Sequence, residues 1–93
     1  MIDSNERVRS NPQCILTELD DGTGVLLHID TKYYFTLNDT GVFLWKRLER
    51  ATLSSAELAA ALSEEFEVSA DEALPQVREL LDEMKANRLV QSG

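Results

Sequence analysis

The pattern of apolar residues changes period once, within residues 33–45, and the change predicts a strand that runs directly into a helix. From Tyr33 to Leu37 the residues are mostly aromatic or β-branched, which is typical of a half-buried strand. Asn38 or Asp39 is placed to cap the following helix, because a short side-chain oxygen accepts the free N–H groups of a first turn. The apolar residues then recur at the spacing of a helix face, at Val42, Leu44, Trp45 and Leu48.

Two more strands are predicted before this stretch, at residues 13–19 and 23–29. The first pairs apolar positions with polar neighbours, and the second is apolar on both faces. Gly22 marks the turn between them, and residues 30–32 form a second short turn. Short connections join strands side by side, so the three strands are expected to form an antiparallel meander.

Beyond Leu48 the pattern predicts two more helices. Ser54 and Glu57 have the spacing of a capping box, and Ser69 or Asp71 is expected to start the last helix. Pro75 is expected near the first turn of that helix, where a missing N–H matters little. The apolar stripe of the last helix comprises Leu74, Val77, Leu80, Leu81 and Met84. The order of three strands and then three helices predicts an α+β fold with a winged-helix-like arrangement.

At 93 residues the chain is long enough for one small domain. Residues 1–12 are polar and are expected to form a flexible N-terminal arm, which leaves residues 13–93 as the domain. A single cysteine, Cys14, excludes an internal disulfide, and there is no apolar run long enough for a membrane span or a signal peptide. A cytoplasmic location is therefore expected.

The net charge of −8 argues against nucleic acid as a partner, because phosphate backbones are bound through lysine and arginine. A winged-helix DNA-binding regulator stays open as an alternative, since the helix count allows it. The composition also gives no reason to expect a membrane partner. The acidic residues are interpreted mainly as a solvated surface.

Candidate chemistry is sparse, and the residues predict a protein that is not an enzyme. His28 is the only histidine and is interpreted as a residue of the sheet face rather than as a base or a ligand. Cys14 is interpreted as a half-buried strand thiol without a basic neighbour. The carboxylates of residues 64–72 lack the glycine-centred loop of a calcium site. No catalytic residue, metal or cofactor is predicted.

The edge of the third strand is the best candidate for a binding site. The outer strands of a meander each leave a row of N–H and C=O groups unpaired, and this one carries aromatic side chains. If the last helix packs beside it, the groove between them can accept an extended peptide as a further strand. One alternative remains open at this point: the aromatic side chains are simply core residues, and the N-terminal arm covers the edge.

The run YYFTLNDTGVFLW at 33–45 is the most specific motif of the chain, and residues 24–27, 53–62 and 80–90 support it. Through these segments, residues 13–90 resemble the PqqD family, whose members act as RiPP recognition elements. The resemblance implies a small peptide chaperone that binds the leader of a ribosomally synthesised precursor peptide along the third strand, as in PQQ or lasso peptide biosynthesis. It also implies a partner enzyme, such as a radical SAM enzyme or a leader peptidase.

The resemblance also implies the site residues. On the strand they are Lys32, Tyr33, Tyr34, Phe35 and Thr36, and on the last helix they are Leu74, Val77, Arg78, Leu81 and Lys85. The helix positions follow from the apolar stripe alone. A monomer or a weak homodimer is expected, because the strand edge is also able to pair with a second copy.

Overall fold

Two three-stranded antiparallel sheets and three helices form the part of the chain that the computed structural model describes, residues 5–92. The strands are β1 (Arg7–Ser10), β2 (Cys14–Glu18), β3 (Gly24–His28), β4 (Tyr34–Leu37), β5 (Leu53–Ser54) and β6 (Val90–Ser92). The helices are α1 (Asp39–Arg50), α2 (Ser55–Glu65) and α3 (Ala70–Ala86). The predicted α+β fold, a meander followed by three helices, is confirmed.

The predicted meander is the sheet of β2, β3 and β4, in that order. Each strand is slightly shorter than the sequence pattern suggested. Leu26 of β3 lies opposite Leu16 on one side and Phe35 on the other, and this row faces the core. The next row, Ile15, Leu27 and Tyr34, points to the opposite face, since side chains alternate along a strand. Ile15 is 51% exposed and Tyr34 is 65% exposed, so this outer face is open to solvent.

The corner between β4 and α1 forms through the predicted cap. The Asn38 side-chain oxygen accepts hydrogen bonds from the Gly41 backbone N–H and from the Thr40 hydroxyl, both at 2.9 Å. The bond from Gly41 satisfies a backbone N–H of the first turn that has no partner within the helix. Only Asn38 therefore separates the end of β4 from the start of α1, which fixes β4 against the helical layer.

The caps of the other two helices also follow the sequence signals. Ser54 and Glu57 form a reciprocal capping box at the start of α2, and Ser69 caps α3. The expectation for Pro75 is corrected: it lies inside α3, as the sixth residue after the Ser69 cap. Its ring removes the N–H that would otherwise bond to the carbonyl of Asp71, one turn earlier.

The second sheet contradicts the expected flexible arm. Residues Arg7–Ser10 form β1, the central strand between β5 and β6, and Val8 is fully buried in the core. The sequence pattern did not predict this strand, because Val8 is its only apolar residue and because its partner strands lie more than 40 positions away. Residues 1–4 of the predicted arm lie outside the described residues.

The core lies between the two sheets and the helices, with Trp45 of α1 as its largest fully buried side chain. Leu58 of α2 and Leu81 of α3 are also fully buried there. Between residues 5 and 92, no helix combines the length and the apolar character that crossing a bilayer requires.

Candidate functional site

The outer edge of β4 presents main-chain groups that no other described strand pairs with. Within the meander, β4 pairs only with β3, and the His28 N–H donates to the Tyr33 carbonyl at 2.9 Å. The pairs of an antiparallel ladder alternate between bonded and non-bonded. Counting from that bond, the groups of Phe35 and Leu37 face β3, and the N–H and C=O groups of Tyr34 and Thr36 point away from the sheet.

A cleft of about 550 Å³ runs along this free edge, between β4 and α3. Leu80 and Glu83 of α3 form its second wall. The strand wall consists of Tyr33, Tyr34, Phe35, Thr36, Leu37 and Asn38. The alternative in which the N-terminal segment covers the edge is wrong for Arg7–Ser10, because that segment pairs with β5 and β6 instead.

The strand residues predicted for the site lie together in this cleft, with one exception. Tyr33, Tyr34, Phe35 and Thr36 all line it. The side chain of Phe35 is buried beneath the strand, and its ring centroid lies 6.3 Å from that of Tyr33. Lys32 lies instead in an adjoining depression at the start of β4.

The helix residues predicted for the site are not brought together. Val77 and Leu81 are buried in the core, where a bound peptide would not reach them. Leu74 and Arg78 line a separate depression on the outside of α3. The Lys85 ammonium donates to the Glu6 carboxylate, and this hydrogen bond lowers the pKa of that carboxyl group.

Leu80 and Glu83 form the helical wall of the cleft and were missing from the predicted site. Most of the apolar stripe of α3 faces the core instead, because residues spaced by three and four along a helix share one face. The buried members of the stripe are Val77, Leu81 and Met84. Leu80 directly precedes Leu81 in the sequence and therefore lies on a neighbouring face of α3. Its apolar side chain was the feature of the sequence that could have indicated a second apolar surface on this helix.

The adjacent leucines of α3 provide a direct test of this wall. Leu80→Ala is expected to change the free energy of unfolding by less than about 1.5 kcal/mol, because Leu80 is only partly buried. Leu81→Ala is expected to lower it by about 2–5 kcal/mol, since Leu81 is fully buried. Urea denaturation of both variants measures the difference. Equal losses would place Leu80 in the core rather than on the cleft.

His28 and Cys14, the two meander residues considered above for chemistry, are both buried within the fold. His28 is buried, with its Nε2 3.3 Å from the Asn11 amide nitrogen and its Nδ1 accepting from the Thr31 N–H at 3.3 Å. Cys14, which lies opposite His28 in the pairing of β2 with β3, is also buried, and burial raises the pKa of its thiol. Such a thiol is a weak nucleophile. In the described part of the chain, no group of three His, Cys, Asp or Glu residues is placed to hold a metal ion.

Comparisons with known proteins give a family and two solved structures. The model of the family described as "Coenzyme PQQ synthesis protein D (PqqD)" matches residues 23–90. A structure described as "TbiB1 in Complex with the TbiA(beta) Leader Peptide" is 25% identical, with a TM-score of 0.76, and the match covers 89% of this chain and 94% of that one. A second, "Lasso peptide synthetase B1 complexed with the leader peptide", is 30% identical, with a TM-score of 0.73 and coverage of 90% and 96%. No match was found among curated proteins.

Proposed function

The chain belongs to the PqqD family, and on that premise we propose that it binds the leader segment of a ribosomally synthesised precursor peptide. The observation that carries the proposal is the free edge of β4 beside an open cleft. The two similar structures are described as complexes with leader peptides, which supports the same role here.

The binding mode is addition of a strand to the sheet. Tyr34 and Thr36 each offer one N–H and one C=O to the peptide, so that its main chain continues the ladder of β2, β3 and β4. Alternate side chains of the peptide then enter the cleft between Phe35 and Leu80, and the others lie on the outer face of the sheet. The main-chain bonds supply affinity for any extended segment, and the cleft selects among sequences.

The protein acts as a non-catalytic carrier that presents the precursor to a modifying enzyme, such as a radical SAM enzyme or a leader peptidase. The residues of the cleft supply hydrogen bonds and apolar contact but no nucleophile with an adjacent base. The outer face carries the exposed side chain of Tyr34 beside the bound strand and that of Ile15 two strands further across the sheet. An enzyme that acts on the precursor is able to contact this face and the peptide together.

A DNA-binding role is less consistent with the surface of α3. Its exposed positions include Asp71, Glu72, Glu79 and Glu83, and carboxylates at these positions repel a phosphate backbone. The net charge of −8 acts in the same direction over the whole protein.

Selection of random 16-residue peptides displayed on phage, with the 93-residue protein immobilised, tests the proposal. The enriched peptides are expected to bind with one-to-one stoichiometry in calorimetry and to share alternating apolar positions, because every second side chain enters the cleft. Binding should weaken when Leu80 is replaced by Asp, which puts a charge on the cleft wall. The proposed function would be contradicted if the protein enriched no peptide more strongly than an unrelated acidic protein does in a parallel selection.

A further inference from the structure

A second depression adjoins the cleft at the start of β4. It has a volume of about 410 Å³ and shares Tyr33 with the cleft, so a peptide strand that continues past Tyr33 enters it directly. The remaining lining residues come from the β3–β4 turn and from the end of α3. They are Thr31, Lys32, Ala86, Asn87 and Arg88.

Both basic residues of this depression have a backbone conformation that normally favours glycine or asparagine. Lys32 has φ 63° and Arg88 has φ 62°, and they are the non-glycine residues with positive φ in the described part of the chain. The left-handed region disfavours a residue with a Cβ, because the Cβ comes too close to the following carbonyl oxygen. Two unfavourable positions that place basic side chains around one depression suggest that these side chains have a role there.

The hydrogen bonds around Arg88 show which residue the fold alone would favour. The Arg88 N–H donates to the Lys85 carbonyl, and the Leu89 N–H donates to the Met84 carbonyl, which is the Schellman arrangement at a helix end. Arg88 occupies the position after the C-cap, where glycine is the usual residue. The helix end is therefore formed by main-chain bonds that glycine would make equally well.

The charges of Lys32 and Arg88 are also unused within the protein. Neither side chain makes an ion pair or a hydrogen bond with another residue between positions 5 and 92, and both are exposed. Two basic side chains at one end of a peptide cleft are complementary to a carboxylate.

From these observations we infer that the depression is the subsite for a carboxylate side chain of the bound peptide. The inference rests on the proposed function and adds a requirement for its ligand. The peptide carries Asp or Glu where it passes Tyr33, and this side chain lies between Lys32 and Arg88. Apolar side chains of the same peptide occupy the cleft along β4.

The test combines the phage selection with a double-mutant cycle. The protein variant is Lys32→Asn with Arg88→Asn, because asparagine tolerates the left-handed conformation and removes the charge. The peptide variant replaces the selected Asp or Glu with its amide, in a synthetic peptide with an amidated C-terminus, so that no terminal carboxylate takes its place. Arg9→Gln with Arg50→Gln removes the same charge from a surface that shares no residue with the cleft and serves as the matched control.

We expect the wild-type protein to bind the amide peptide about tenfold more weakly than the acidic one, and the Lys32/Arg88 variant to bind both alike. The control variant should discriminate as the wild type does, and the melting temperature of the Lys32/Arg88 variant should not fall. Equal discrimination by wild type and variant, or selected peptides without an acidic residue at a fixed position, would overturn the inference. In that case the proposed function stands if the peptides still bind the β4 edge, whereas a selection that yields no peptide overturns both.

Discussion

Thr36→Pro is expected to weaken peptide binding by at least about 30-fold while the protein stays folded. The Thr36 N–H points out of the sheet towards the cleft, so proline removes a donor that the peptide uses and no bond within the meander. The proline ring also occupies the space where the peptide main chain must approach. Loss of one main-chain bond and of close contact at the neighbouring positions corresponds to about 2 kcal/mol or more.

The stability of this variant separates loss of binding from loss of structure. Proline is tolerated on an edge strand when its N–H faces away from the ladder, so we expect the free energy of unfolding to fall by at most about 2 kcal/mol. Thr36→Ala is the matched control, because it removes the same side chain and keeps the N–H. It should bind selected peptides within about threefold of the wild type. If Thr36→Pro binds as tightly as Thr36→Ala in calorimetry, the peptide does not pair with β4.

Trp45→Ala is expected to destabilise the protein by about 3–5 kcal/mol. Trp45 has no exposed surface and is the largest fully buried side chain of the core. A domain of 93 residues has a total stability of roughly 5–14 kcal/mol, so the variant should unfold at a much lower urea concentration than the wild type. Equilibrium urea denaturation followed by circular dichroism measures the loss.

Tyr34→Ala provides the comparison for this prediction, since it also truncates an aromatic residue to alanine. Tyr34 is 65% exposed on the outer face of the sheet, so its truncation should change the free energy of unfolding by less than about 1 kcal/mol. It should nevertheless weaken peptide binding severalfold, because the Tyr34 ring lies beside those peptide side chains that point to the outer face of the sheet. Equal destabilisation by the two substitutions would mean that the faces of β4 are assigned the wrong way round.

Local signals were sufficient to predict the corner between β4 and α1. The period changes at Asn38, and the residue that marks the change also caps the helix through its own side chain. The capping box of Ser54 and Glu57 is equally local, since both partners lie within four residues. Features that depend on neighbours in the chain were therefore recovered from the pattern alone.

The second sheet was not predictable in this way. β1 is paired with segments near Ser54 and Gln91, and no feature of residues 7–10 indicates partners that far along the chain. β5 and β6 are two and three residues long, which is too short for an alternating pattern to be recognised.

The candidate site was predicted on one side only. The aromatic run from Tyr33 to Thr36 identified the strand wall of the cleft, because the residues at the free edge of β4 are the same residues that line the cleft. On α3 the strongest periodic signal, which includes Val77 and Leu81, belongs to the core. Leu80 lies beside it, and only the packing of α3 against α2 and the sheets decides which face turns to the cleft.

Hydrogen exchange at the amides of β4, measured by NMR with and without a selected peptide, tests the central claim most directly. In the free protein the amides of Phe35 and Leu37 should be protected by β3, and those of Tyr34 and Thr36 should exchange rapidly. Saturating peptide should slow exchange at Tyr34 and Thr36 by at least about tenfold, because their N–H groups become part of a continued ladder. If these two amides stay unprotected while the peptide is bound, or are already protected in the free monomer, the peptide is not added to the sheet at this edge.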